Sequence, residues 1–295
     1  HIQSRLEKHI LEAITENGTG RPVFAQMIGE DLEHLKRTTL DLLQYEVAGI
    51  DLNMGCPAPT VYKKGCGGGL LRDPQKIDKV LGTLRHTIPG LFTVKMRIGF
   101  EDTKNFEQIL KLINKHEVDL LSLHGRTVKE MYRSQVRYEH IKLAAETIKC
   151  PLLANGDVSS ASRAFEILDY TGAAGVMIGR HAIRNPWIFR QIREMAMTGK
   201  TQPIKLTEVF QYVRNLYNTL AKPWTPEKAH VNKMKKFLNF IGQGVDPEGR
   251  FLYEVRRAQN KLDLFAICER YMLSSPLEFF ADEPYKGLFA RPNCE

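Results

Sequence analysis

A cysteine in a stiff turn at the end of a strand is the first feature of this chain that could do chemistry. In Gly49-Ile-Asp-Leu-Asn-Met-Gly-Cys-Pro57 an apolar run stops at Asn53, and Gly55, Cys56 and Pro57 follow. Gly55 permits a backbone conformation closed to other residues, and Pro57 stiffens the turn. A lone cysteine is more often buried filler than catalyst. The place of Cys56 at the C-terminal end of a strand shifts the reading towards catalysis. Beyond it, Lys63-Lys-Gly-Cys-Gly-Gly-Gly-Leu-Leu71 carries three successive glycines. They suit a mobile lid beside Cys56, a close backbone approach or a phosphate cradle, although the residue order of a P-loop is lacking. Cys66 is read as incidental.

The other candidates also follow apolar runs. Lys95-Met-Arg-Ile-Gly99 sets Lys95 and Arg97 on the same side of a strand. Cations taken out of water need an anionic or electron-rich partner. The nearest carboxylates, Glu101 and Asp102, lie past the strand, so a ligand is expected to be that partner. In His124-Gly-Arg-Thr127, His124 reads as a donor to a cofactor or a base, and Arg126 is open to a structural role. In Asn155-Gly-Asp157, Gly156 suits close approach to a ligand, while Asp157 is placed to cap the next helix. Gly175-Val-Met-Ile-Gly-Arg180, with Gly179 and Arg180 before a helix, reads as a phosphate site. Together with the glycine loop, the paired cations and the 155–157 segment, it points to a phosphorylated cofactor.

These side chains need a scaffold. Strand-length apolar runs occur at 22–28, 49–53, 91–98, 119–124, 151–155 and 174–178. Helical patterns at 31–46, 73–86 and 159–169 separate them, the second with Pro74 near its start and the third with serines that can cap it. Such alternation implies parallel βαβ units. A doubly wound open sheet accommodates six units; a closed barrel takes eight. The choice follows from the chemistry. Gln26, Asn53, Cys56, Lys95, His124, Asn155 and Arg180 all follow or end a run, and only a barrel gathers every strand end into one ring. The expected fold is therefore α/β, a TIM (β/α)8-type barrel whose N-terminal two units are absent from this chain, over 1–202. A small all-helical domain over 203–295 follows, with helices at 206–220, 226–241, 249–260 and 263–272. Another helix-like stretch opens the chain at 2–16.

With 295 residues, 43% hydrophobic and 26% charged, the composition is globular and excludes a disordered or collagen-like chain. A net charge of +8 suits a polyanion. The tail concentrates it: Lys228, His230, Lys233, Lys235 and Lys236 lie on one helix, and Arg250, Arg256, Arg257 and Lys261 follow. Either run alone reads as a solvated face; two in sequence beside a catalytic barrel favour RNA docking. The five cysteines, Cys56, Cys66, Cys150, Cys268 and Cys294, are odd in number and never spaced C-x-x-C. That argues against a disulfide framework or a zinc site and for a reducing cytoplasm, with no metal expected. No apolar run approaches the ~20 residues that span a bilayer, and no signal peptide opens the chain, so no membrane partner is expected.

Read in order, six stretches resemble the tRNA-dihydrouridine synthases, particularly their bacterial B-type branch. They are Asn53-Met-Gly-Cys-Pro57, Lys95-Met-Arg-Ile-Gly99, Leu123-His-Gly-Arg-Thr127, Ala154-Asn-Gly-Asp-Val158, Met177-Ile-Gly-Arg180 and Asn185-Pro-Trp-Ile-Phe189. The resemblance implies a flavin barrel that reduces specific uridines in tRNA to 5,6-dihydrouridine with FMN and NADPH. It implies hydride from the flavin to C6 and a proton from Cys56 to C5. Gln26, Lys95 and His124 resemble flavin contacts; Asn155, Asp157, Gly179 and Arg180 resemble the ribityl and phosphate side; Asn53 and Arg97 resemble uracil contacts. The tail, with Lys233 and Lys236, resembles a tRNA-binding helical domain. A monomer is expected. An acid role suits a cysteine, because an ordinary thiol is mostly protonated at neutral pH, and no histidine adjoins Cys56 to activate a nucleophile. The family's opening Pro-Met-Ala-Gly type strand and the strand after it have no counterpart here; weak flavin retention is expected if the protein is truly truncated there, and not if those residues merely lie outside this sequence. A small-molecule flavin dehydrogenase of the dihydroorotate-oxidising type shares the barrel, the lysine and the phosphate site, but needs no basic tail.

Overall fold

In the computed structural model, which describes residues 8–221 and 224–290, the alternation of runs and amphipathic stretches forms a parallel α/β sheet followed by helices. Residues 2–7 of the expected opening helix, and Cys294, lie outside the described residues. Two compact units emerge: His1–Gly156 with Ile167–Met177, and Asp157–Glu166 with Ile178–Glu295. The boundary drawn from sequence at 202–203 falls inside the second.

The first unit begins with α1 (Lys8–Thr15) and then alternates β1 (Phe24–Met27), α2 (Leu32–Leu42) and β2 (Gly49–Met54). A short α3 (Pro59–Tyr62) and a 3-10 turn, Gly67–Arg72, lead to α4 (Pro74–Thr87) and β3 (Leu91–Arg97). Next come α5 (Phe106–Lys115), β4 (Leu120–His124), α6 (Tyr138–Thr147), β5 (Leu152–Asn155), α7 (Ala161–Thr171), whose residues 161–166 fall in the second unit, and β6 (Gly175–Met177). Side-chain caps open two of the helices: Asp31 accepts from the His34 N–H, and Asp73 from the Lys76 N–H with Pro74 in the first turn.

The strands are all parallel, and their order in the sheet is their order in the chain, β1 to β6. Helices α2, α4, α5 and α6 pack against one another in the same order. A doubly wound sheet reverses its strand order and covers both faces with helices; this one winds in one direction, as a barrel does. Among the described residues β1 has one strand partner, β2.

The two faces of the sheet differ. Ile50, Leu52, Met54, Phe92, Val94, Met96, Leu121 and Leu123 are fully buried, as are Ile77, Val80, Leu81, Ile109 and Leu110 of the helices. The alternate positions, Gln26, Asp51, Asn53, Thr93, Lys95, Arg97, Ser122, His124 and Asn155, are polar and share the opposite face by strand register. Parallel strands are usually apolar on both faces, so this polar face marks where the fold departs from packing needs.

The second unit holds α8 (Arg180–Arg184), α9 (Ile188–Thr198), α10 (Leu206–Leu220), α11 (Glu227–Ile241), α12 (Arg250–Val255) and α13 (Lys261–Met272). Leu206, Val209, Val213, Val231, Met234, Leu238, Phe251 and Leu264 form its core. Among the described residues no helix is long and apolar enough to cross a membrane. Leu52→Ala, which opens a cavity between sheet and helices, is expected to lower the unfolding free energy by about 2–5 kcal/mol in urea titrations. Lys233→Ala on the exposed side of α11 is expected to change it by less than about 0.5 kcal/mol.

Candidate active site

The Cys56 turn is built by the side chain of Asn53. Its Oδ1 accepts the backbone N–H groups of Gly55 at 3.0 Å and Cys56 at 2.9 Å, and its Nδ2 donates to Gln26 Oε1 at 2.9 Å. Cys56 is half-buried. Gly55 is not left-handed; the sequence reading placed its value in backbone freedom, whereas the structure places it in space, since a Cβ there would lie 3.3 Å from the Met96 carbonyl carbon.

The glycine run packs under this turn. Gly67, with φ +54°, and Gly68 are buried, and the Gly68 N–H donates to the Cys56 carbonyl at 3.2 Å. A Cβ on Gly67 would come within 3.0 Å of Cys56 Cβ, and one on Gly68 within 2.9 Å of the Cys56 oxygen and against Val128. Of the alternatives left open by the sequence, close backbone approach is the one realised; the run is a packed 3-10 turn and not a lid.

Lys95 lies between two hydrogen-bonded groups on the polar face. Its Nζ donates to Asn155 Oδ1 at 3.3 Å, and Asn155 Nδ2 donates onward to the Met177 carbonyl at 2.8 Å. Burial, and then the Arg97 charge, hold the Lys95 ammonium below the usual lysine range, while Asp51 and Cys56, both within electrostatic reach, oppose that shift. Half-buried, and held by a long hydrogen bond to Asn155, the ammonium retains donor capacity for an electron-rich ligand.

Arg97 is different. It is 2% exposed, and it donates to the carbonyls of Gly55 (3.1 Å), Thr127 (2.9 Å) and Met131 (2.6 Å) with Tyr132 facing its guanidinium. The structure gives it protein partners where the sequence reading expected a ligand, because the loop after β4 folds back over the strand end. It ties that loop to the Cys56 turn.

His124, 5% exposed, ends β4 with Arg126 Nη1 at 3.3 Å from its Nε2. A guanidinium only donates, so Nε2 accepts and the ring proton sits on Nδ1. Gly156, at φ +123°, lies so close that a Cβ would meet the His124 ring at 3.0 Å. The close approach there is to the histidine.

In the second unit, Arg180 pairs with Asp157 at 3.9 Å, and Gly179 precedes α8. Asp157 is left-handed, at φ +46°. The cap at the start of α7 comes from Ser160, whose Oγ accepts the Arg163 N–H at 3.1 Å. His181, buried beside Arg184 and Arg180, is pushed down to about 4. On α11, Lys228, Lys233 and Lys236 are exposed, whereas His230 is buried and stacked on Tyr217 at 3.9 Å, so it leaves the basic surface. Arg256 is likewise engaged, donating to Asn239 Oδ1 at 2.7 Å. Among the described residues no His, Cys, Asp and Glu cluster could hold a metal.

Asp51 and its partner Thr93 escaped the sequence reading. Asp51 accepts from Thr93 Oγ1 at 2.6 Å and Gln26 Nε2 at 2.7 Å, and burial raises its carboxyl above the usual range. The signal was present: Asp51 stands two residues before Asn53 and must share its face.

Gly68→Ala is expected to cost about 1–3 kcal/mol in unfolding titrations through overpacking, whereas Gly90→Ala, with open space around it, is expected to stay within about 0.5 kcal/mol. The depressed pKa of His181 means that its stabilising contribution is complete above pH 6.5 and is lost as pH falls towards about 4. His181→Gln is expected to remove on the order of 3 kcal/mol of that pH dependence, read as denaturant midpoints between these pH values.

Comparison with known proteins places this geometry in a family. The dihydrouridine synthase (Dus) model matches residues 2–269. tRNA-dihydrouridine synthase B of Proteus vulgaris is 37% identical over 175 residues, 57% of this chain and 54% of that protein. A probable tRNA-dihydrouridine synthase of Helicobacter pylori is 46% identical over 149 residues, 50% of this chain and 45% of that protein. The tRNA-dihydrouridine(16) synthase of Neisseria meningitidis is 29% identical over 264 residues, 88% of this chain and 79% of that protein. For most of these relatives the chain spans about half the length of the protein it matches. An old yellow enzyme homologue from Zymomonas mobilis aligns at TM-score 0.42 and 16% identity over 59% of this chain and 53% of that one, a likeness too slight to carry a conclusion. With the family model matched from residue 2 to residue 269, the chain belongs to the dihydrouridine synthase family.

Proposed function

We propose that this chain reduces uridine in tRNA to 5,6-dihydrouridine in the cytoplasm, with FMN bound and NADPH as reductant. The observation that carries the reading is the Cys56 turn beside a half-buried ammonium, Lys95, hydrogen-bonded to Asn155, in a chain of this family. The donor set fits FMN. Lys95 offers a half-buried cation to an electron-rich ring edge, and Gln26, Asn155 and His124 share its face of the sheet.

When bound and reduced, FMN supplies the hydride for C6 of the uracil. The chain's own residues do the rest. Asn53 fixes the turn that presents the Cys56 thiol, which delivers its proton to C5, so that two hydrogens add across the C5–C6 double bond. The thiolate left behind lies within reach of the Lys95 ammonium, which stabilises it until solvent restores the proton. A base inside folded tRNA must first be turned out of its stack at a cost of a few kcal/mol. Phosphate contacts from exposed lysines such as Lys233 and Lys236 offset that cost.

Cys56→Ala is expected to abolish uridine reduction while the flavin absorbance of the protein is retained; turnover at the wild-type rate would remove Cys56 from the chemistry. Binding to tRNA is expected to weaken steeply with salt, and Lys233→Ala and Lys236→Ala to lower the salt slope by about 1 each. Turnover of a free small dihydropyrimidine, with no such slope, would favour a dehydrogenase of the dihydroorotate-oxidising type instead.

A further inference from the structure

We infer that Asp51 is a positioning residue for Cys56, acting through a one-way chain of amides formed by Gln26 and Asn53. This rests on the proton-donor role proposed for Cys56. Asp51 stands on β2, opposite Thr93 in register and beside Gln26 of β1. Its Oδ2 accepts from Gln26 Nε2 at 2.7 Å, Gln26 Oε1 accepts from Asn53 Nδ2 at 2.9 Å, and Asn53 Oδ1 accepts the N–H groups of Gly55 and Cys56 at 3.0 and 2.9 Å.

The two ends of this chain determine its direction. A carboxylate offers only acceptors, and backbone N–H groups offer only donors. Between them each amide has one satisfactory orientation, with its NH2 towards Asp51 and its oxygen towards the turn. Turning either amide over would set donor against donor or oxygen against oxygen. Asp51 thus selects the Asn53 orientation that holds the Cys56 N–H.

Asp51 is half-buried, and packing does not call for a carboxylate there. Barrel interiors are dominated by Val, Ile and Leu, and burial disfavours the Asp51 charge. Thr93 and Lys95 from β3 and Gln26 from β1 face it and favour the ionised form. Lys95 in turn faces Arg97 and Cys56. A purely structural role, tying β1 to β3 through Thr93, makes a different set of demands, and variants separate the two.

The test measures alkylation of Cys56 by iodoacetamide under native conditions, read by mass spectrometry of the Cys56 peptide, so it needs no turnover. Asp51→Ala is expected to raise that rate about fivefold, the population shift allowed by one lost net hydrogen bond. Its kcat is expected to fall on the order of 10–100-fold from the misplaced thiol, with KM for tRNA unchanged within about twofold. Asp51→Asn still offers an acceptor to Gln26 and is expected to rescue the alkylation rate to within about twofold of wild type. Gln26→Met cuts the chain at its middle link and is expected to reproduce the Asp51→Ala alkylation rate; it carries the test if Asp51→Ala fails to fold. Thr93→Val removes the other hydrogen bond to the same carboxylate and is expected to leave Cys56 alkylation at the wild-type rate. Wild-type alkylation in both Asp51→Ala and Gln26→Met, or an equal rise in Thr93→Val, would overturn the inference. Failure of the wild-type protein to reduce uridine would instead overturn the functional reading, and the alkylation series would still decide the amide chain.

Discussion

A lysine drawn partly out of water on the polar face of a parallel sheet is the constraint on which the first unit depends. Removing an ammonium from water is costly unless charge and hydrogen bonds compensate. Lys95 receives both from other strands: Asn155 of β5 accepts a hydrogen bond from it, and Asp51 of β2 opposes the effect of burial on its charge. Asp51 is itself half-buried and is satisfied by Thr93 and Gln26. Each polar residue thus requires the next, and the face that would ordinarily be Val, Ile and Leu becomes a connected polar surface. The opposite face, with Ile50, Leu52, Val94 and Leu121 fully buried against helices, supplies the apolar burial that holds the sheet in place.

The same sheet presents Cys56 by two independent devices. Asn53 satisfies the turn's N–H groups from within, and the Gly67–Gly68 backbone packs against the turn from outside. A side chain at either glycine would push the turn away. Arg97 adds a third tether by joining the Gly55 carbonyl to the loop after β4. A thiol that must meet a carbon atom in a defined place benefits from such redundancy, because small misplacements of a reacting group carry large rate penalties.

Much of this was legible in the residues. The strands stand where the apolar runs stand, because runs of that length bounded by Gly, Pro and polar residues have few other ways to satisfy their backbone. Lys95 and Arg97 share a face because side chains alternate along a strand. Asp51 was equally derivable from its spacing to Asn53, yet a carboxylate inside a parallel strand is easily passed over, since its partners, Gln26 and Thr93, come from strands 25 and 42 residues away.

The sequence by itself determined the alternation of strand and helix, the polar residue at each strand end and the family to which these motifs point, because all of these rest on local spacing. Only the tertiary structure decided which polar groups satisfy one another. Arg97 was expected to await a ligand and instead holds three backbone carbonyls; Gly55 was expected to supply an unusual backbone angle and instead supplies room; the glycine run packs closely against the Cys56 turn. The physical reason is common to all three. Partners for buried polar groups, and space around a backbone, are set by loops that return from distant positions in the chain, and no local pattern records where they land.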